Sequence, residues 1–76
     1  MKTPRLHGRI ASIRYDHNYG FVIPNDPERK GEEIFFHSTA VASDLRDFKP
    51  GDAVTFEEMY TKKGLRAVHV QREETK

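Results

Sequence analysis

The chain is 76 residues long, 36% hydrophobic and 33% charged, with no cysteine and a formal net charge of +1. That length holds one domain with one small core; without cysteine, neither disulfides nor a thiolate metal site can staple it, so packing and strand pairing must carry the stability. No apolar run approaches the roughly 20 residues of a membrane helix, and Met1 to His7 carries charge with no hydrophobic segment behind it, so a soluble cytoplasmic protein without a signal peptide is expected.

Strand-like alternation recurs along the chain and helical periodicity does not. The first predicted strand runs from about Leu6 to Ile13. The second, Tyr19 to Ile23, is ended by Pro24 and the turn-forming Asn25-Asp26-Pro27. A charged loop, Glu28 to Glu32, leads to a third strand at Glu33 to His37. Ser38 to Lys49 reads as irregular, with a helical turn at Ala40 to Leu45. Pro50-Gly51-Asp52 is a strong turn signal before the fourth strand, Ala53 to about Tyr60, and Lys62-Lys63-Gly64 turns the chain into a fifth, Leu65 to Gln71. Five short strands without a long helix predict a small barrel or sandwich. There is no internal repeat or linker, and residues 1–4 and 73–76 are expected to be flexible ends.

Strand parity assigns faces. In the second strand Tyr19 and Phe21 point one way, Gly20 and Val22 the other. In the third, Phe35 and His37 share one face, Ile34 and Phe36 the opposite one. Val22, Ile34 and Phe36 can form a core with Ile10, Val54, Phe56, Val68 and Val70, which leaves Tyr19, Phe21, Phe35 and His37 outside. Either choice exposes rings, because both faces of the third strand contain a phenylalanine.

Charge is unevenly distributed. Residues 1–24 carry Lys2, Arg5, Arg9 and Arg14 against Asp16, a formal +3; residues 25–59 amount to −5; residues 60–72 carry Lys62, Lys63, Arg66 and Arg72 without an acid, +4. A fold that gathers the two basic segments has a positive face, although such runs are commonly just solvated surface. Exposed rings on adjacent strands need a reason, and base stacking supplies one. Every nucleobase has a π-face, and each stacked base is worth about 1–3 kcal/mol. Nearby Arg9, Arg14, Lys62, Lys63 and Arg66 can neutralise phosphates.

Asn18-Tyr19-Gly20-Phe21-Val22 resembles the first ribonucleoprotein-type motif of cold-shock domains, usually Lys-Gly-Phe-Gly-Phe-Ile. Glu33-Ile34-Phe35-Phe36-His37 resembles their second motif, usually Asp-Val-Phe-Val-His-Phe. Gly8-Arg9-Ile10, Thr39-Ala40-Val41, the Pro50 to Phe56 segment and the Lys63 to Val70 segment resemble the flanking family patterns, so the likeness covers roughly residues 6–71. The resemblance implies an all-β, five-stranded antiparallel OB-fold barrel over residues 5–72. It also implies binding of single-stranded RNA or DNA, as an RNA chaperone or stress-related regulator. By position Tyr19, Phe21, Phe35 and His37 inherit stacking roles, Lys63 a phosphate-side role, and His17 stands where the family usually has lysine.

The departures from the pattern carry expectations of their own. Ala11-Ser12-Ile13-Arg14 stands where the family has Lys-Trp-Phe-Asn, so Ser12 replaces a stacking tryptophan, and Ser38 stands where an aromatic residue often follows the histidine. Two missing rings at about 1 kcal/mol each lower affinity by tens-fold. Arg14, Tyr15 and Leu45 are the residues expected to compensate in part, since a guanidinium also stacks on bases.

Other readings of the same residues are blander. Tyr19, Phe21 and Phe35 are ordinary core if the parity is reversed; independently of that, His37 can be a structural surface or capping histidine, and Lys62-Lys63 a solvated turn. His7, His17, His37 and His69 lack ligand-like spacing, so no metal site is expected. No nucleophile is spaced to a base, so neither an enzyme, a small-molecule substrate nor a cofactor is expected. The expected nucleic-acid-binding set is therefore Tyr19, Phe21, Phe35, His37, His17, Arg14, Lys63, Arg66, Lys62 and Tyr15, on a monomer or weak dimer that meets no membrane. The alternative is an OB-fold interaction module that turns the same aromatic face to a protein or oligosaccharide.

Overall fold

Runs rich in valine, isoleucine, phenylalanine and threonine suit a pleated surface with one face buried, and each such run forms a strand. The computed structural model describes residues 5–29, 31–41 and 44–73. Its strands are β1 (Leu6–Arg14), β2 (Tyr19–Pro24), β3 (Ile34–His37), β4 (Ala53–Thr61) and β5 (Gly64–Arg72). They close into a barrel in the order β1-β2-β3-β5-β4, with β4 returning to pair with β1. Every expected strand is present, within a residue or two at each end. Of the expected flexible ends, residues 1–4 and 73–76, all but Glu73 lie outside the described residues, and the Glu73 N–H donates to the Ala53 carbonyl at 2.9 Å.

Neighbouring strands pair antiparallel except at the seam between β3 and β5, which is parallel at Phe35↔Arg66. A parallel pair needs a long crossover. Here the crossover is the segment after β3 together with β4, and a second parallel bridge, Val41↔Val70, extends the seam. The expected helical turn at Ala40 to Leu45 is not continuous. Short 3₁₀ turns at Ser38–Ala40 and Leu45–Asp47 flank residues 42 and 43, which lie outside the described residues. Asp44 caps the second turn by accepting from the Arg46 N–H at 2.9 Å, the local competition that makes aspartate a good initiator of such turns.

The core consists of Ile10, Val22, Ile34, Phe36, Leu45, Phe48, Val54, Phe56, Ala67 and Val70. Seven of the eight residues expected from parity are in it. The eighth, Val68, is half-buried on the outer face, and Ala67 takes the inward position. The cause is a register shift opposite Phe56, where the pairing steps from Thr55↔Gln71 to Glu57↔Val68. His69 sits there in the left-handed region at φ 52°, the extra residue of a β-bulge, and beyond a bulge the inward and outward sets exchange. Leu45, expected to help stack bases, is instead 6% exposed and packed in the core. With Phe48 it packs into the core from the β3–β4 connection.

Gly20 is set by the same core. A Cβ there would lie 2.7 Å from the Phe36 ring and 2.7 Å from the Ser12 carbonyl oxygen, so only glycine lets the large Phe36 ring fill the space beneath β2. The small residue between Tyr19 and Phe21 therefore admits a core ring on one side while holding two outer rings on the other.

Candidate nucleic-acid interface

Antiparallel pairing of β2 with β3 runs Tyr19↔His37, Gly20↔Phe36, Phe21↔Phe35 and Val22↔Ile34. Directly opposed residues share a face. Gly20, Phe36, Val22 and Ile34 are all buried, which leaves Tyr19, Phe21, Phe35 and His37 together on the outside. Tyr19 and Phe35 are stacked, with centroids 5.4 Å apart and planes at 29°. Phe21 meets both edge-on at 5.9 Å. The His17 ring continues the row beyond Tyr19, at 6.3 Å and 18°. On the other flank the Arg66 guanidinium lies over the Phe35 ring, 4.8 Å from its centroid. The series His17, Tyr19, Phe35, Arg66 is thus a continuous row of flat groups from the β1–β2 turn across β2 and β3 to β5.

A second bulge decides what lies beside the row on β1. The pairing steps from Ile10↔Val22 to Ser12↔Phe21, with Ala11 as the extra residue. Ser12 and Arg14, opposite Phe21 and Tyr19, are thereby placed on the ring-bearing face, whereas unbroken alternation would have put them with Ile10 inside. Arg14 is exposed and lies 3.8 Å from Asp16, so it stands at the rim of the row as a cation shared with one acid. Asp16 also lies 3.5 Å from the His17 Nε2.

The remaining expected residues are placed less uniformly. The exposed His37 ring accepts from the Thr39 N–H at 3.2 Å through Nδ1, and this caps the Ser38–Ala40 turn. The capping role engages Nδ1 and leaves the ring exposed opposite Tyr19. Tyr15 is 44% exposed, but its hydroxyl donates to the Phe48 carbonyl, which ties it to the β3–β4 connection; among the described residues it makes no ring contact with the His17–Arg66 row. Lys62 and Lys63 form the exposed β4–β5 turn, where the Thr61 hydroxyl accepts from the Lys63 N–H at 3.1 Å. Neither lysine enters a salt bridge among the described residues, so both cations face solvent.

The two acids of β4 are paired within the protein. Glu57 meets Arg5 at 3.5 Å and His69 at 3.0 Å. Glu58 pairs with Arg29, which also reaches Glu32 at 3.1 Å. The hydrogen bond to Glu58 lifts the Arg29 pKa above its already high ordinary value, against the opposing effect of desolvation; the guanidinium is a fixed charge. With those carboxylates engaged, strands β1 and β5, the basic segments of the sequence, border the ring-bearing pair β2–β3 on its two sides. Of their cations, Arg14 stands opposite Tyr19 and Arg66 over Phe35.

Sequence reasoning missed Met59. It is 51% exposed and pairs with Arg66 across β4–β5. Its odd spacing from buried Phe56 was a usable parity signal, because Phe56 and Met59 must face opposite ways. Among the described residues no group of His, Cys, Asp and Glu is arranged to hold a metal ion.

The barrel order, the paired motifs on β2 and β3 and the flanking basic strands are the features that comparison with known proteins must account for. None of the curated proteins matches the chain. Among solved structures it is similar to drosophila Unr CSD456, with a TM-score of 0.74 and 25% identity, over 95% of this chain and 28% of that one. The chain thus spans under a third of that structure's length. Residues 6–73 match the "Cold-shock" DNA-binding domain, a span that takes in all five strands and every ring of the row, and the chain therefore belongs to this family of nucleic-acid-binding barrels.

Proposed function

We propose that this domain binds single-stranded nucleic acid by stacking bases on Tyr19, Phe21, Phe35 and His17, with Arg14, Lys62, Lys63 and Arg66 receiving the phosphates. The observation that carries the reading is the continuous outer row from His17 to Arg66, in contact from member to member at 4.8–6.3 Å. A duplex hides its base faces, so a flat row of this kind has most to offer an unpaired strand. Stacking competes with base pairing. The protein then holds RNA secondary structure open without chemistry, which suits an RNA chaperone or a stress-related regulator.

Ser12 argues for a platform shorter than the family's usual one. It sits opposite Phe21 on the ring-bearing face, where it offers a hydroxyl instead of an indole. Affinity is accordingly weaker by tens-fold than on a platform with both missing rings in place, at about 1 kcal/mol for each.

The test is titration of labelled single- and double-stranded oligonucleotides across a salt series. Single-strand preference with an affinity that falls as salt rises supports the reading. No binding even near ~50 mM salt, where phosphate contacts are least screened, would overturn it.

A further inference from the structure

We infer that the nucleotide-binding face continues past Phe35, over Arg66, to Met59, which contacts a further base at the β4–β5 hairpin. This rests on the single-strand reading above and adds a residue and a direction to it. Strand register places the residues. Phe35 pairs with Arg66 across the β3–β5 seam, and Arg66 pairs with Met59 across β4–β5. Paired residues share a face, so Phe35, Arg66 and Met59 lie in one line across three strands.

Each member of that line is suited to a strand of nucleotides. The Arg66 guanidinium already lies over the Phe35 ring, 4.8 Å from its centroid, and a guanidinium is a planar group that carries charge and stacks on π-faces. Met59 exposes half of its surface where an apolar residue would ordinarily be buried. A thioether is polarisable and makes favourable contacts with π-systems. Lys62 and Lys63 are exposed in the turn that joins β4 and β5 and can serve a phosphate there. The one acid on the same side of β4, Glu57, is held by Arg5 and His69, and Glu58 by Arg29, so neither carboxylate is left to repel a phosphate.

The occupant favoured is therefore the same strand that covers Phe35, since the surface is continuous with that site and carries the matching charge. It also accounts for the direction of the path. On β1 the row ends at Ser12, without a ring, whereas on the other flank it runs over a guanidinium on β5 to a thioether on β4. The footprint is displaced away from β1 and toward the hairpin.

Met1 and Met59 are the only methionines in the chain, so a methyl-labelled methionine spectrum of the full chain reads the site directly, with Met59→Leu assigning the resonance. Titration with oligo-dT of about eight nucleotides, within the range covered by one barrel of this kind, is expected to shift the Met59 methyl signal. Oligo-dT of about four nucleotides, short enough to be held by the rings alone, is expected to leave it in place. Met59→Ala is expected to weaken the longer oligonucleotide about five-fold, the lower end of the range for one stacked base, and to leave the shorter one unchanged. A Met59 signal that stays fixed while the longer oligonucleotide binds would overturn the extension yet leave the ring-stacking reading standing. Equal weakening of both lengths would overturn it too. Failure of every oligonucleotide to bind the unaltered protein would remove both.

Discussion

Two adjacent phenylalanines separate binding from folding, and replacing each with alanine tests the assignment of faces. Phe36 is fully buried, and its ring lies beneath Gly20 in the centre of the core. Phe36→Ala removes that ring from a packed interior, which costs about 3–5 kcal/mol. A domain of 76 residues has roughly 4–11 kcal/mol of total stability at 0.05–0.15 kcal/mol per residue, so the variant loses a large part of its folded population near physiological temperature. Phe35 is only half-buried and touches Tyr19, Phe21 and the Arg66 guanidinium on the outer face. Phe35→Ala forfeits ring contacts worth about 1 kcal/mol, a fall of about 4–8 °C in Tm for a domain of this size. It also removes the central stacking position, which weakens oligonucleotide binding about 5- to 150-fold, the equivalent of about 1–3 kcal/mol. Thermal unfolding followed by circular dichroism and anisotropy titration at fixed salt measure the two effects on the same samples. A folded Phe35→Ala that binds as tightly as the parent refutes base stacking on this face. If Phe35→Ala unfolds while Phe36→Ala stays folded, the inward and outward faces have been assigned in reverse.

Ser12→Trp, which places a ring opposite Phe21, is expected to tighten single-strand binding about five-fold or more in the same anisotropy assay; unchanged affinity would mean that the strand does not pass over β1. Replacing Lys62 and Lys63 together by glutamine is expected to reduce the slope of log K against log salt by about 0.7 for each phosphate the two lysines neutralise, which a salt titration reads directly. Gly20→Ala drives a Cβ to within 2.7 Å of both Phe36 and the Ser12 carbonyl, and is expected to cost about 1–3 kcal/mol by overpacking, measured as a lowered urea midpoint. Leu45→Ala is expected to cost about 2–5 kcal/mol in stability without a selective loss of binding at temperatures where the variant is folded; weaker binding at unchanged stability would return Leu45 to the surface.

The strands were legible because alternation is short-range information, and so were the rings, because Tyr19, Phe21 and Phe35 occupy consecutive outward positions on two such strands. What alternation could not supply is the place where it breaks. Val68 reads as inward from Val70 by simple parity, and it is the bulge at His69, in an unusual positive-φ conformation for histidine, that turns it out and brings Ala67 in. Nothing in the local pattern of β-formers marks that residue. Leu45 and Phe48 were missed for a different reason. Their burial depends on how a connection of irregular backbone packs into the core, and such a segment has no period to detect. His37 lay between two readings, a binding ring or a cap: Nδ1 caps the following turn, and the ring stays exposed opposite Tyr19.

The bulge at Ala11 gives the missing ring its meaning. Without it, Ser12 would share the face of buried Ile10, and a serine there would be a defect in the core, with a polar group to satisfy and a ring's worth of volume absent. With it, Ser12 stands on the outer face opposite Phe21, and the core beneath remains complete: Ile10, Val22, Phe36 and Phe56 are all at most 2% exposed. Exchanging a ring for a hydroxyl at this point therefore alters the platform and not the barrel. The same holds on the opposite flank, where the bulge at His69 turns Val68 outward and leaves Arg66 aligned with Phe35. In the proposed mode of binding, outer positions on β1, β2, β3 and β5 are the ones that meet a strand, while the inner positions between them form the core that holds the barrel. Because neighbouring residues divide these tasks, the platform can lose a ring on β1 and gain a guanidinium on β5 without any change to the core that holds it.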